Sequence, residues 1–295
     1  MKPSLLLSLL CMLCWQCREN KSVTPEPAPS LYPMISYVEV GVMLQSIGGP
    51  TVLDLKNSNG KQVVLVGCPH SRDTTAKEFD LIDIYFKHLK PQVAFNEGGT
   101  VRQDVYYTSR NQSIRDRGET GLLKYHCDIA GIKMLNGDLT EEEEFNAMLK
   151  LYPKDELLLY YTFERFIIPY KYGMDSDKPL EEAYTNFIND YLTRHGFTLA
   201  DNEKTFDYFK QVYQQQMGQG FDLAKADIEQ FDFLNDNCKF CALGRTSKVV
   251  RDEALLQKIS TALDQYDRIF ITFGGAHALA LEPALKKLLR EKAEQ

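Results

Sequence analysis

The chain has 295 residues, 44% of them hydrophobic and 25% charged, with a net charge of −7. That is the balance of a globular protein rather than a disordered or fibrous one. No basic block is present, which argues against nucleic acid as a partner, because phosphate binding rests on clustered Lys and Arg.

Residues 1–17 have the pattern of an export signal. Lys2 supplies a positive start, and Leu5 to Trp15 is an apolar run interrupted by Ser8. Such a run is too short to span a bilayer and suits the hydrophobic part of a signal peptide. Residues 18–30 follow as a polar tether in which Pro25, Pro27 and Pro29 exclude helix. Cys17, where the apolar run ends, is the candidate for lipidation, with Cys11 and Cys14 as competitors, although the residues before Cys17 match a lipobox poorly. The expectation is an exported protein, lipid-anchored in the cell envelope through its N-terminal Cys, or periplasmic or secreted.

Residues 31–295 are expected to form one domain, of a size near the upper limit for a single core. Ser36 to Ser46 is a short helix. Thr51 to Leu55 and Lys61 to Gly67 are strands joined by a turn at Lys56-Asn-Ser-Asn-Gly60. Thr75 and Glu78 have the spacing of a capping box before a helix over 76–89, which places Phe79, Ile82, Phe86 and Leu89 on one face. Gln92 to Asn96 is a strand, followed by a polar, Arg-rich loop and a helix from about Glu119 to Ala130. Gly131 to Asn136 is another strand. Strand alternating with helix marks parallel βαβ units.

From 140 to about 245 the pattern turns helical, opening at Thr140 with Glu141 to Glu144 and continuing through stretches near 153–170, 179–194 and 202–217. The strand Arg268 to Phe273 and a helix over 276–292 close the chain. The fold class expected is α/β, a mostly parallel central sheet flanked by helices, with a large helical insertion. Cys238 and Cys241 read as a structural pair able to close a small disulfide, since neither a redox fold nor a second zinc half-site accompanies them.

Four strands end in polar groups that packing does not require: Gly67-Cys-Pro-His70, Asn96-Glu97-Gly98-Gly99, Asn136-Gly137-Asp138 and Gly274-Gly275-Ala276-His277. In an open parallel sheet, ligands bind beyond the carboxyl ends of the strands. His70, Glu97 and His277 can hold a divalent metal or run acid–base chemistry, and His titrates near neutrality. Arg102 is the candidate partner of Glu97 or clamp for an anionic group. Tyr106 and Tyr107 are candidate pocket residues, and Asp138 a further ligand-binding carboxylate. Glu164-Arg165 reads as surface charge, with an inward orientation as the alternative.

These motifs resemble the TraB/Tiki superfamily, which takes in erythromycin-esterase-like proteins and ChaN-like haem-binding lipoproteins. The shared pattern is a strand ending Gly-x-x-His, here Gly67 to His70; a strand ending in Glu with Arg soon after, here Glu97 and Arg102; and a late Gly-x-x-His, here Gly274 to His277. The resemblance covers roughly residues 60–140 and 265–290 and leaves the helical middle unmatched; Cys68 and Pro69 inside the first turn depart from it. It implies a cell-envelope hydrolase of peptidase or esterase type acting on a small-molecule or peptide substrate. His70, Glu97 and His277 would be central, with Mn, Co or Zn as the metal where one is used. The alternative it implies is a haem-binding lipoprotein with Tyr106, Tyr107, His70 or His277 as ligands.

Overall fold

The computed structural model describes residues 32–102, 104–174 and 177–294; the export segment, the tether and the candidate lipidated cysteines lie outside these. The chain is α/β. Helix α1 (Tyr37–Ser46) starts where the Ser36 side chain accepts the Glu39 amide. Strands β1 (Thr51–Lys56) and β2 (Gln62–Cys68) form the expected antiparallel hairpin, with Val52 opposite Val66. Asn57 closes its turn by accepting the amides of Asn59 and Lys61.

Helix α2 (Lys77–Leu89) buries Phe79, Ile82, Phe86 and Leu89, the face its spacing predicts. The capping box does not form. Thr75 bonds to Asp73, and Glu78 is buried where it accepts the Ser71 amide, so the carboxylate serves the loop carrying His70 and not the helix start. Strand β3 (Val93–Asn96), helix α3 (Arg110–Ala130) and strand β4 (Lys133–Asn136) follow. Helix α3 begins well before the expected Glu119, capped by Ser109. It is interrupted at Arg117 and Gly118, whose backbones are non-helical.

Between β4 and the last βα unit the chain is helical: α4 (Glu141–Met148), α5 (Lys154–Thr162), α6 (Ile168–Lys171), α7 (Leu180–Phe187), α8 (Phe206–Met217) and α9 (Lys239–Leu263). Thr140 and Glu143 make a reciprocal capping box at the head of α4. Two π-helical segments, Phe163–Ile167 and Ile188–Thr193, continue α5 and α7. Cys238 and Cys241 are disulfide-bonded at the start of α9, and Cys68 and Cys127 are free and buried. Strand β5 (Arg268–Gly274) and helix α10 (Gly275–Glu291) complete the fold.

The sheet runs β1-β2-β5-β3-β4, parallel except for the β1–β2 edge. Strand periodicity sends alternate side chains to opposite faces. Val63 and Leu65 of β2, with Ile269 and Ile271 of β5, pack under α9 and α10. Val64, Val66 and Phe270 pack against α2 and α3. A separate core, rich in aromatic rings such as Phe145, Tyr160, Tyr161 and Phe163, holds the helical region together. Because β5 sits between β2 and β3, the carboxyl ends of all three meet at one place.

Candidate active site

Three of the polar strand ends converge there, and the fourth lies beside them. Glu97 follows β3 directly, and its carboxylate is held on both sides. Oε2 accepts the Gly274 amide at 2.5 Å, and Oε1 accepts Arg251 Nη2 at 2.5 Å. Arg251, on α9, also donates through Nε to Asp138 Oδ1 at 2.8 Å and through Nη2 to Oδ2. A guanidinium fork is suited to bridging two carboxylates in this way.

The two histidines lie on different sides of Glu97. His70 Nε2 is 3.7 Å from Oε2, and His277 Nε2 is 3.7 Å from Oε1. Each has its other ring nitrogen tied to a carboxylate: His70 Nδ1 to Glu119 Oε1 at 2.6 Å, and His277 Nδ1 to Asp252 Oδ1 at 2.6 Å. Tyr37 of α1 donates to Asp252 Oδ2 at 2.6 Å, and its hydroxyl lies 2.8 Å from His277 Nδ1. A carboxylate on one ring nitrogen fixes orientation and favours the tautomer that leaves the other nitrogen unprotonated.

The backbone is shaped for these contacts. His70 has φ 62°, uncommon for a residue with a Cβ. Gly118, at φ +55°, breaks α3 where any Cβ would come within 2.8 Å of the Ser71 carbonyl oxygen, and Glu119 follows to meet His70. At Gly274 a Cβ would stand 3.0 Å from His70 Nε2 and 3.1 Å from Glu97 Oε2, so the close approach of backbone to carboxylate requires glycine.

The surroundings set the charge states. Burial pushes the Glu97 carboxyl up, but His277, Arg251, His70 and the Gly274 amide outweigh it and hold the group well below the usual carboxylate range. The hydrogen bond to Glu119 raises His70 above an ordinary imidazole, against the opposing effect of burial. Burial and the neighbouring Asp252 push the Tyr37 phenol far up, so it remains a donor.

Above this set lies a cleft of about 540 Å³ whose walls include His70, Glu97, Gly98, Gly99, Arg165 and Arg251. His70 opens onto it, with 52% of its side chain exposed; His277, at 6%, sits beneath Glu97 and is not part of the wall. Asp138 lines the cleft as well as holding Arg251. The alternative for Glu164-Arg165 is the one observed: Arg165 lines the cleft, and Glu164 is paired with Lys248 at 2.6 Å.

Arg102 is not at the site. Its guanidinium is exposed and bonded to Asp104, two residues along, and Arg251 takes the place beside Glu97 that Arg102 was expected to fill. Tyr106 and Tyr107 are also outside the cleft wall; Tyr106 is 72% exposed, with the Lys124 ammonium over its ring.

As donors for a metal, His70 and His277 approach different oxygens of Glu97, and both of those oxygens already accept N–H groups. Among the described residues no group of three or more His, Cys, Asp and Glu side chains is placed to hold a cation. A haem would need flat apolar walls, whereas these are largely charged.

Arg251, Asp252, Glu119 and Tyr37 carry as much of the geometry as the strand-end residues, and the sequence reading passed over all four. None of them carries a local signal; Arg251-Asp252, between Lys248 and Glu253 in a long helix, reads as surface charge. No protein-family model matches the chain, and no curated protein or solved structure shows significant similarity to it.

Proposed function

We propose that this chain is a hydrolase of peptidase or esterase type, with a site related to that of the TraB/Tiki superfamily, and that the reaction is run by His70 and Glu97 at the floor of the cleft. The observation that supports this most is His70 itself: a strained backbone, Nδ1 fixed by Glu119, and Nε2 free beside an ionised carboxylate and open to the cleft. That is the arrangement of an acid–base group with its orienting partner.

In this reading a water between His70 Nε2 and Glu97 attacks the substrate carbonyl. Its proton passes to Nε2 and from there to the leaving alkoxide or amine, so His70 ends as it began. Glu97 orients the water and stabilises the imidazolium, and Arg251 and the Gly274 amide keep Glu97 ionised and fixed. The amides of Gly98 and Gly99, which have no hydrogen-bond partner among the described residues, are the candidate donors to the developing oxyanion. His277, backed by Asp252 and Tyr37, supports Glu97 from below. With the expected export signal and lipidated cysteine, the protein works in the cell envelope.

The test is hydrolysis of a panel of p-nitrophenyl esters and fluorogenic peptides by residues 31–295, with His70→Ala and Glu97→Gln as controls and with and without a chelator. Activity lost in both variants and indifferent to chelation is the expected result. Activity abolished by chelation, with stoichiometric Mn, Co or Zn in the untreated protein, would replace this mechanism by a metal-dependent one. Activity retained in His70→Ala would remove the proposal. Haem binding, which the charged cleft does not favour, predicts a Soret band on titration with haemin.

A further inference from the structure

The cleft continues past Arg165. Glu141, Arg165 and Tyr191 belong both to its wall and to a second hollow of about 450 Å³, which Phe166, Phe187 and Asp190 also line. The two hollows share Glu141, Arg165 and Tyr191 as a common border, the first reaching to Glu97 and the second lying on the helical region; together they are treated as one groove. Both π-helical segments border it: Phe163–Ile167 supplies Arg165 and Phe166, and Ile188–Thr193 supplies Asp190 and Tyr191. Such segments are rare and recur at functional sites.

The groove has an apolar side and, at the junction, an arginine with open hydrogen-bonding capacity. Phe166 and Phe187 stack with ring centres 5.3 Å apart, and Phe187 and Tyr191 at 5.5 Å, forming a row of three rings. Arg165 stands where the hollows join. Its guanidinium makes no hydrogen bond to any described residue, and its Nε is buried without a partner. The nearest carboxylate oxygens, on Glu164 and Glu144, are 3.6 and 3.8 Å away, beyond hydrogen-bond reach. Both carboxylates are held through Oε1, Glu164 by Lys248 and Glu144 by Ser247 and Tyr161, which leaves their Oε2 atoms facing Arg165 as ion-pair partners. A guanidinium carries five donors in a planar fork that matches a carboxylate.

We propose that this groove is a substrate subsite for an apolar, preferably aromatic group bearing a carboxylate, the carboxylate bound by the Arg165 fork and the apolar body lying along Phe187 and Tyr191. The proposal rests on the hydrolase reading above and names its substrate class: an ester or amide whose non-reacting side is an acidic, aromatic-bearing segment. Binding energy from that remote segment would place the scissile carbonyl over Glu97 and His70.

Calorimetric titration tests it without turnover. The probes are 3-phenylpropionate, its neutral amide and 3-phenylpropylamine, added to the wild type, Arg165→Lys and Phe187→Ala. The expected result is saturable binding of the carboxylate with a dissociation constant of about 1 mM or tighter, and about tenfold weaker binding of the amide and the amine. Both variants should weaken the carboxylate at least about fivefold, and Arg165→Lys should erase most of the preference over the amide. Equal affinity for the three probes, stronger binding of the amine, no binding up to about 10 mM, or unchanged affinity in the variants would overturn the subsite. If Arg165→Lys fails to fold, Phe187→Ala and the probe series decide. A protein that binds the carboxylate selectively but hydrolyses nothing keeps the subsite and loses the catalytic reading. One that hydrolyses but does not discriminate among the probes does the reverse.

Discussion

Replacing Arg251 with Met removes one buried cation from between two buried carboxylates and keeps most of its volume. The side chains involved are 6% exposed for Arg251, 8% for Asp138 and 13% for Glu97. Three charge-assisted bonds go with it, two to Asp138 and one to Glu97. Removing one partner of a buried pair costs about 3–5 kcal/mol, chiefly by stranding the other charge. Because Glu97 borders the cleft and gains some hydration there, the lower end applies, about 3 kcal/mol, a large part of a typical domain stability. The pH dependence follows from Glu97. Its carboxyl is depressed in the folded protein, so its stabilising contribution is present above the unfolded carboxylate value and lost as pH falls through the folded one. Without Arg251 that depression shrinks, and the deficit between variant and wild type should narrow as pH is lowered from 7 towards 4. Urea unfolding at pH 7, 5 and 4 measures both quantities. A deficit under about 1 kcal/mol at pH 7, or one that stays constant with pH, would refute the account of Arg251 as the counter-ion of this site.

Other perturbations read other parts of the same geometry. Glu119→Gln keeps an acceptor but removes the charge that raises His70; the stabilisation it provides is present below the ordinary imidazole value and lost as pH rises through the raised one, so the variant's deficit should be larger at pH 6 than at pH 9 in unfolding experiments. In the hydrolysis assay, activity should rise with pH as His70 loses its proton, and Glu119→Gln should move that limb to lower pH. Gly274→Ala puts a methyl group 3.0 Å from His70 Nε2 and should cost about 100-fold in rate, whereas at Gly275 an added Cβ meets nothing closer than 3.9 Å and Gly275→Ala should retain activity. Tyr37→Phe deletes a buried hydroxyl bonded to Asp252 and near His277, and calorimetry should show a loss of about 1–2 kcal/mol.

The strand-end residues were legible because their signals are local. An apolar run followed by glycine and one polar group is visible in a short window, and the α/β rhythm then places those groups on one edge. The helix faces were legible for the same reason, as with Phe79, Ile82, Phe86 and Leu89. What escaped depends on distance along the chain. Arg102 is five residues from Glu97 and looked like its partner, but Asp104 is closer still and takes the guanidinium; Arg251, the actual partner, lies 154 residues away. Arg251 and Asp252 are adjacent opposite charges in a helix, the usual mark of a solvated face, and only the packing of α9 over the sheet buries them. Glu78 had the right spacing to cap α2, yet the Ser71 amide of the strained His70 loop had the stronger demand on it. The expected helix start at Glu119 falls at the break in α3 at Arg117 and Gly118; Ser109 and the Arg110 pairing with Asp80 and Asp83 extend helix on its other side.

The position of β5 has a consequence for when the candidate site is complete. It is the last in chain order of the five described strands and the one that joins β2 to β3, with Gln62 paired to Arg268 and Val93 to Ile269. Until it arrives, the hairpin β1–β2 and the pair β3–β4 each present an open edge, and the closure of so long a loop makes their union slow relative to local helix formation. The same segment delivers the Gly274 amide and His277. Until residues 268–277 are in place the chain therefore has neither a joined sheet nor a completed candidate site, and assembly of the one completes the other.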